Sequence, residues 1–133
     1  MGRSVASVVA GLVAWTLLAT LANVLLRVVL PGYSEAEPGM NFTLTMLVGR
    51  LVVGAVSTLL AGCVLSWVAR RTGWSAVVFG VLLVAIFIPI HLKLWDKFPL
   101  WYHLTFLASL LPLALLGAMM VAPRDGVAPS RPR

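Results

Sequence analysis

The sequence has little charge and almost no cysteine. Only 11% of its 133 residues are charged and 61% are hydrophobic, whereas a soluble domain carries about 25% charged and about 45–50% apolar residues. A mean hydropathy of +1.02 therefore predicts an integral membrane protein. The single cysteine, Cys63, excludes an internal disulfide and a CxxC dithiol, and with them a membrane enzyme of disulfide exchange.

Acidic residues are also scarce, with four aspartates and glutamates in the whole chain and none inside the long apolar stretches. Proton-coupled carriers use carboxylates within the membrane as relays, so this scarcity argues against a small multidrug antiporter. The chain has no glycine-rich phosphate loop, and Ser57 and Ser66 lack a base at membrane depth. The sequence predicts no enzyme and no catalytic, cofactor-binding or metal-binding residue.

Four apolar stretches separated by charges are each long enough for the roughly 20 residues of a spanning helix. Because lipid cannot satisfy backbone polar groups, each stretch should be a helix. The prediction is an all-α, four-helix transmembrane bundle of up-down-up-down topology. It forms one domain over residues 1–122, with helices at about 4–30, 42–69, 72–91 and 101–122. Residues 123–133, with three prolines and three arginines, should form a disordered basic cytoplasmic tail.

The basic residues predict which way the bundle faces. Four crossings put both termini on one side, and six basic residues fall on that side against four on the other. Cytoplasmic segments carry the excess of lysine and arginine, so both termini should be cytoplasmic. The ten basic residues lie at helix ends and form no basic stripe, which fits lipid anchoring better than nucleic-acid binding. The six are Arg3, Arg70, Arg71, Arg124, Arg131 and Arg133, and the four are Arg27, Arg50, Lys93 and Lys97.

Small residues recur at every fourth position of the second predicted helix: Gly54, Thr58, Gly62 and Ser66. Such a face lets two helix backbones approach closely and gain dispersion contacts. We expect it to pack within the bundle, with homodimerisation as the alternative. The first predicted helix carries a polar stripe, formed by Thr16, Thr20, Asn23 and Arg27. Either the threonine side chains hydrogen-bond to carbonyls of their own helix, or the stripe lines a polar groove open to the outer face.

Most of the chemically interesting residues collect at the predicted outer end of the bundle. Four readings stay open: an interfacial belt of aromatic and basic anchors, a pocket for an amphipathic ligand, a metal or haem site built on the two histidines, and, last, catalysis. The candidate residues for a ligand or partner site are Asn23, Arg27, Arg50, His91, Trp95, Asp96, Trp101, Tyr102 and His103. A loop acid, Glu35 or Glu37, is expected to pair with Arg27 or Arg50.

The run Leu94-Trp95-Asp96-Lys97-Phe98-Pro99-Leu100-Trp101-Tyr102-His103, followed by Pro112 and Gly117, resembles a segment of uncharacterised small four-helix bacterial integral membrane proteins. The resemblance implies the four-helix architecture and a multi-pass protein of the bacterial inner membrane, and it implies no activity. The function expected first is a non-enzymatic structural or accessory protein that packs with itself or a larger membrane partner. The alternative is a binder of a quinone or a lipid headgroup. The lipid bilayer is an expected partner, and we expect no cofactor and no nucleic acid.

Overall fold

In the computed structural model, which describes residues 2–70 and 73–121, four long helices and one short helix account for most of the chain. Within these ranges there is no strand, so the all-α prediction is confirmed. The part of the chain described does not include the predicted tail at 123–133. The helices are α1 (Gly2–Val29), α2 (Tyr33–Ala36), α3 (Leu44–Ala69), α4 (Trp74–Lys93) and α5 (Leu100–Val121).

Helix boundaries differ from the predicted ones by two residues at four places, the starts of α1, α3 and α4 and the end of α4. α3 begins at Leu44 because Thr43 lies in extended backbone and its side chain accepts a hydrogen bond from the Met46 amide, which is the geometry of a helix N-cap. α4 runs past His91 to Lys93. The sequence predicts an end at His91, but this residue is buried within the protein and the helix continues past it.

Each long helix is long and apolar enough to cross a membrane. Their outward faces carry exposed valine, leucine and isoleucine side chains from one end to the other. In water such a surface would be unstable, whereas in a bilayer it faces hydrocarbon. These features support an integral membrane protein with four candidate spans.

The small-residue face of α3 is buried against the rest of the bundle, as predicted. Thr58 and Ser66 are at most 1% exposed. At Gly62 an added Cβ would lie 2.5 Å from the Ala114 carbonyl oxygen of α5. α5 and α1 cover this face within one chain, which is the packing expected first. The adjoining core consists of Ala61, Leu65, Ala76, Phe79, Leu83, Phe106, Leu110, Ala114 and Ala118.

Candidate functional site at the bundle mouth

We call the end of the bundle that carries α2 and the 94–99 connection the mouth. Here the predicted ion pair between helix and loop is present. Arg27 Nε donates to Glu37 Oε2 at 2.8 Å, and Arg27 Nη2 donates to Glu37 Oε1 at 2.9 Å. This two-pronged hydrogen bonding to Arg27 lowers the pKa of the Glu37 carboxyl. The pair ties the loop after α2 to the end of α1.

Arg50 lies deeper than Arg27 and is held by a different set of groups. Its Nη1 donates to the Tyr33 hydroxyl at 2.7 Å, and that hydroxyl donates to Asn23 Oδ1 at 3.2 Å. The guanidinium carbon lies 4.7 Å from the centroid of the Phe42 ring, within cation–π distance. Tyr33 is fully buried. The short helix α2 therefore inserts a hydroxyl between an arginine of α3 and an asparagine of α1.

One buried donor of Arg50, the Nε, makes no hydrogen bond to any described residue. An unsatisfied buried donor costs about 1–3 kcal/mol, and more on a charged group. Because the atom is enclosed by protein, this cost lowers the stability of the fold.

Two cavities adjoin Arg50. The outer one, the groove, has a volume of about 270 Å³ and is lined by Thr20, Asn23, Val24, Arg27, Glu37 and Arg50. The inner one, the chamber, has a volume of about 110 Å³ and is lined by Trp15, Ala19, Asn23, Arg50, Val53, Gly54, Phe87, Tyr102 and Phe106. Asn23 and Arg50 line both cavities. The chamber touches all four long helices, and aromatic rings form much of its wall.

The two histidines, His91 and His103, are in direct contact. His91 Nδ1 and His103 Nδ1 lie 2.7 Å apart, so one ring must carry its proton on Nδ1 and the other must not. Both are buried, at 6% and 0% exposure. The pair joins α4 to α5 just beyond the chamber, because His91 also contacts the chamber-lining ring of Phe106 at 4.8 Å between centroids.

The aromatic and histidine residues predicted for this end divide into exposed and buried ones. Trp95 and Trp101 are 46% and 42% exposed, as interfacial anchors should be. Tyr102, His91 and His103 are buried within the protein, where they stack with each other and with their neighbours instead of facing headgroups. Trp95 is exposed and also packs against protein, because one face of its indole stacks on His103 at 5.0 Å between centroids.

The remaining predicted residues divide between the mouth and the lipid face. Asp96 is exposed and makes no hydrogen bond or salt bridge to a described residue. The predicted polar stripe of α1 also divides, because Thr16 is exposed and donates to its own helix at the Leu12 carbonyl, while Thr20 and Asn23 line the groove. Within the described ranges no three side chains of the metal-binding types cluster, so the two histidines have no third ligand there.

Sequence reasoning missed the ring wall of the chamber and the partners of Arg50. The sequence does carry a signal for part of that wall. Trp15, Ala19 and Asn23 follow one another at intervals of four, which places them on one face of α1. No comparable signal existed for Tyr33 and Phe42. Both lie in the connection between α1 and α3, where no periodicity shows which side chains turn inward.

Comparison with known proteins adds nothing to this geometry, because no family model, curated protein or solved structure matches the chain. The site must be interpreted from its own residues.

Proposed function

We propose that this protein is a non-enzymatic, membrane-embedded binder of a small amphipathic ligand, which it holds at the mouth. The single observation that carries the proposal is Arg50, a partly buried cation that borders both the groove and the chamber. Ligand sites are typically apolar concavities with a few convergent polar groups. The mouth has this character, with Arg50 and Asn23 as the polar groups.

The groups around Arg50 define the chemistry of the ligand head. Arginine donates hydrogen bonds and accepts none. Asn23 Nδ2 already donates to the Ala19 carbonyl at 2.9 Å, and its Oδ1 accepts from Tyr33. The ligand must therefore offer an acceptor oxygen. Its apolar part would reach the bilayer across Val24, a groove-lining residue that is 48% exposed.

A purely structural or accessory role is the less favoured function. Its best candidate surface was the small-residue face of α3, and that face is used inside the bundle. A larger membrane partner would have to contact another surface, and no described feature distinguishes one lipid-facing patch from the next.

We place the mouth on the outer side of the bacterial inner membrane, with up-down-up-down helices and both termini in the cytoplasm. Alternation is supported by contacts at both ends of the α1–α3 pair: Gly11 lies against Leu65, and Gly49 lies against Leu26. The orientation is supported by the excess of basic residues on the side of the termini.

The test is extraction of the purified protein. The full-length chain and two variants, Arg50→Gln and Lys97→Gln, are purified in parallel, and bound amphiphiles are extracted and quantified per mole of protein by mass spectrometry. Lys97 is an exposed cation of the same end that lines neither cavity. We expect one species near one mole per mole in wild type and Lys97→Gln, and its loss in Arg50→Gln. Identical extracts from all three proteins would refute the proposal.

A further inference from the structure

We propose that the end of the bundle opposite the mouth binds one anionic phospholipid, with an acyl chain in a crevice between α1 and α4 and the phosphate beside Arg3 and Arg70. No described residue lines both this site and the groove or the chamber. The site is therefore separate from the mouth and does not depend on the proposed function.

The crevice is an apolar gap that runs along the first half of α1 and the first half of α4. Its volume is about 400 Å³. Val5 and Val9 in its wall are exposed, so the gap opens sideways into the hydrocarbon of the bilayer. An empty gap would forfeit the dispersion contacts of its walls, and an apolar wall offers water few hydrogen-bond partners, so a hydrocarbon chain suits it best. The apolar residues of the wall are Val5, Val8, Val9 and Leu12 of α1 and Val78 and Leu82 of α4.

The length of the crevice suits a lipid chain better than a partner helix. From Ser4 to Leu12 it extends about 12 Å along α1 at the rise of an α-helix. One leaflet contributes about 15 Å of hydrocarbon, half of the bilayer core. Nearer the mouth α1 and α4 are in contact, because the rings of Trp15 and Phe87 lie 4.9 Å apart between centroids. A transmembrane partner would need a gap through both leaflets, whereas an acyl chain needs only this one.

A polar cavity lies at the end of the crevice where α1 and α4 begin. Its volume is about 630 Å³, and we call it the basic cavity because Arg3 and Arg70 line it. Ser4 of α1 and Trp74 and Ser75 of α4 line both this cavity and the crevice, so the two spaces follow one another along the same pair of helices. Trp74 is exposed, as tryptophan at the headgroup level usually is. The serine hydroxyls can donate to the ester oxygens of a lipid at that level.

The charge of the basic cavity favours a headgroup of net negative charge. Arg3 and Arg70 are exposed, so a phosphate can reach them, and the guanidinium fork of N–H donors matches phosphate oxygens. The acids of the described ranges, Glu35, Glu37 and Asp96, belong to the mouth. The ammonium of a zwitterionic headgroup would therefore meet two cations and no carboxylate among the described residues of this end.

The test follows the contact between Trp74 and lipid chains in the full-length protein, reconstituted in phosphatidylcholine vesicles. Increasing mole fractions of phosphatidylglycerol or phosphatidylcholine with brominated acyl chains, which quench a nearby indole, replace part of the lipid. The Trp74→Phe protein gives the signal of the other tryptophans, which is subtracted. The dependence of quenching on mole fraction then yields the association of each lipid with the site.

Matched variants separate the headgroup from the chain. Arg3→Gln and Arg70→Gln remove the cations, and Lys97→Gln, at an exposed position of the mouth, is their control. Val78→Phe narrows the crevice, and Val81→Phe, at an exposed position of α4 that does not line it, is the control for added volume. Circular-dichroism melting establishes that each variant is folded.

We expect phosphatidylglycerol to associate with the site about tenfold or more tightly than phosphatidylcholine, since each arginine near an anionic headgroup contributes about fivefold. This preference should fall about fivefold in each arginine variant and stay unchanged in Lys97→Gln. Val78→Phe should weaken the quenching of Trp74, and Val81→Phe should not. Equal quenching by the two lipids in wild type would overturn the proposal. So would a preference that survives in the Arg3→Gln/Arg70→Gln double variant, or equal effects of Val78→Phe and Val81→Phe.

Discussion

Glu37 and Arg27 are ten residues apart and meet only because the chain turns back after α1. The interaction lowers the pKa of Glu37, so the ionised form of this carboxyl is favoured in the folded protein. The stabilisation is fully present above the ordinary glutamate pKa and disappears as the pH falls through the lowered value.

The direction of this pKa shift gives the first prediction. Glu37→Gln should lower the melting temperature of the protein in detergent at pH 7, and the difference from wild type should vanish on acidification, because both proteins then carry an uncharged side chain at position 37. Glu35→Gln, an exposed loop acid two residues away, should have no such pH-dependent effect. A difference between wild type and Glu37→Gln that stays constant down to strongly acidic pH would contradict the ion pair.

Gly62 gives the second prediction at the scale of single residues. A leucine there should lower the free energy of unfolding by about 1–3 kcal/mol, the usual cost of overpacking, because an added Cβ meets the backbone of Ala114 and Ala118 on α5. Backbone atoms cannot move aside as a side chain can. Thermal melting in detergent measures the effect, and Gly2→Ala, where nothing lies within 4 Å, is the control. An unchanged melting temperature would count against close packing of α3 on α5.

The contrast between Gly62 and Tyr33 shows what the sequence could predict at this scale. Gly62 belongs to a four-residue repeat of small side chains, and helical geometry converts that repeat into a face. Tyr33 follows Pro31 and Gly32 in an irregular turn, where its burial depends on how the loop folds back over α1 and α3. No local pattern encodes that path, so the best-placed partner of Arg50 was not predictable.

At the scale of whole helices, the His91–His103 contact is a polar interaction between α4 and α5. Removing one imidazole leaves the other with a buried nitrogen that lacks a partner, whereas replacing both by apolar groups leaves nothing unsatisfied. We therefore predict that His91→Phe and His103→Leu each destabilise the bundle by about 1–3 kcal/mol, and that the double variant is less destabilised than the sum of the two.

A double-mutant cycle of thermal unfolding in one detergent checks this prediction. Ser109→Ala, which removes only a hydrogen bond within α5 to the Phe106 carbonyl, serves as a control for a polar substitution on the same helix. Strict additivity of the two histidine substitutions would show that the 2.7 Å contact contributes no coupling energy.

The helices themselves were predictable because lipid allows few alternatives. An apolar stretch free of charge must satisfy its own hydrogen bonds, so it becomes a helix, and charges mark where it leaves the hydrocarbon. The error at the end of α4 has the same physical basis. A histidine normally belongs outside the hydrocarbon, but His91 is satisfied inside the protein by His103, and this long-range contact is not visible in the sequence.

At the scale of the whole molecule, the polar groups are unevenly distributed along the bundle. The groove, the chamber and the histidine pair all lie toward the mouth. At the opposite end, the described residues include a contact of another kind, from Arg3 Nε to the Val68 carbonyl at 3.3 Å. That contact places a cation at the C-terminal end of α3, where the helix dipole favours positive charge.

The last prediction concerns the side of the membrane on which the mouth lies. The basic residues number six on the side of the termini and four on the side of the mouth, and lysine and arginine near helix ends are retained in the cytoplasm. We expect Ser34→Cys, exposed on α2, to react with a membrane-impermeant maleimide added to intact cells, and Gly2→Cys, exposed at the start of α1, to react only after the cells are opened. Both are made in a Cys63→Ala background, so that the native thiol cannot contribute. The reverse labelling pattern would place the mouth in the cytoplasm, and the groove would then draw its ligand from the inner leaflet.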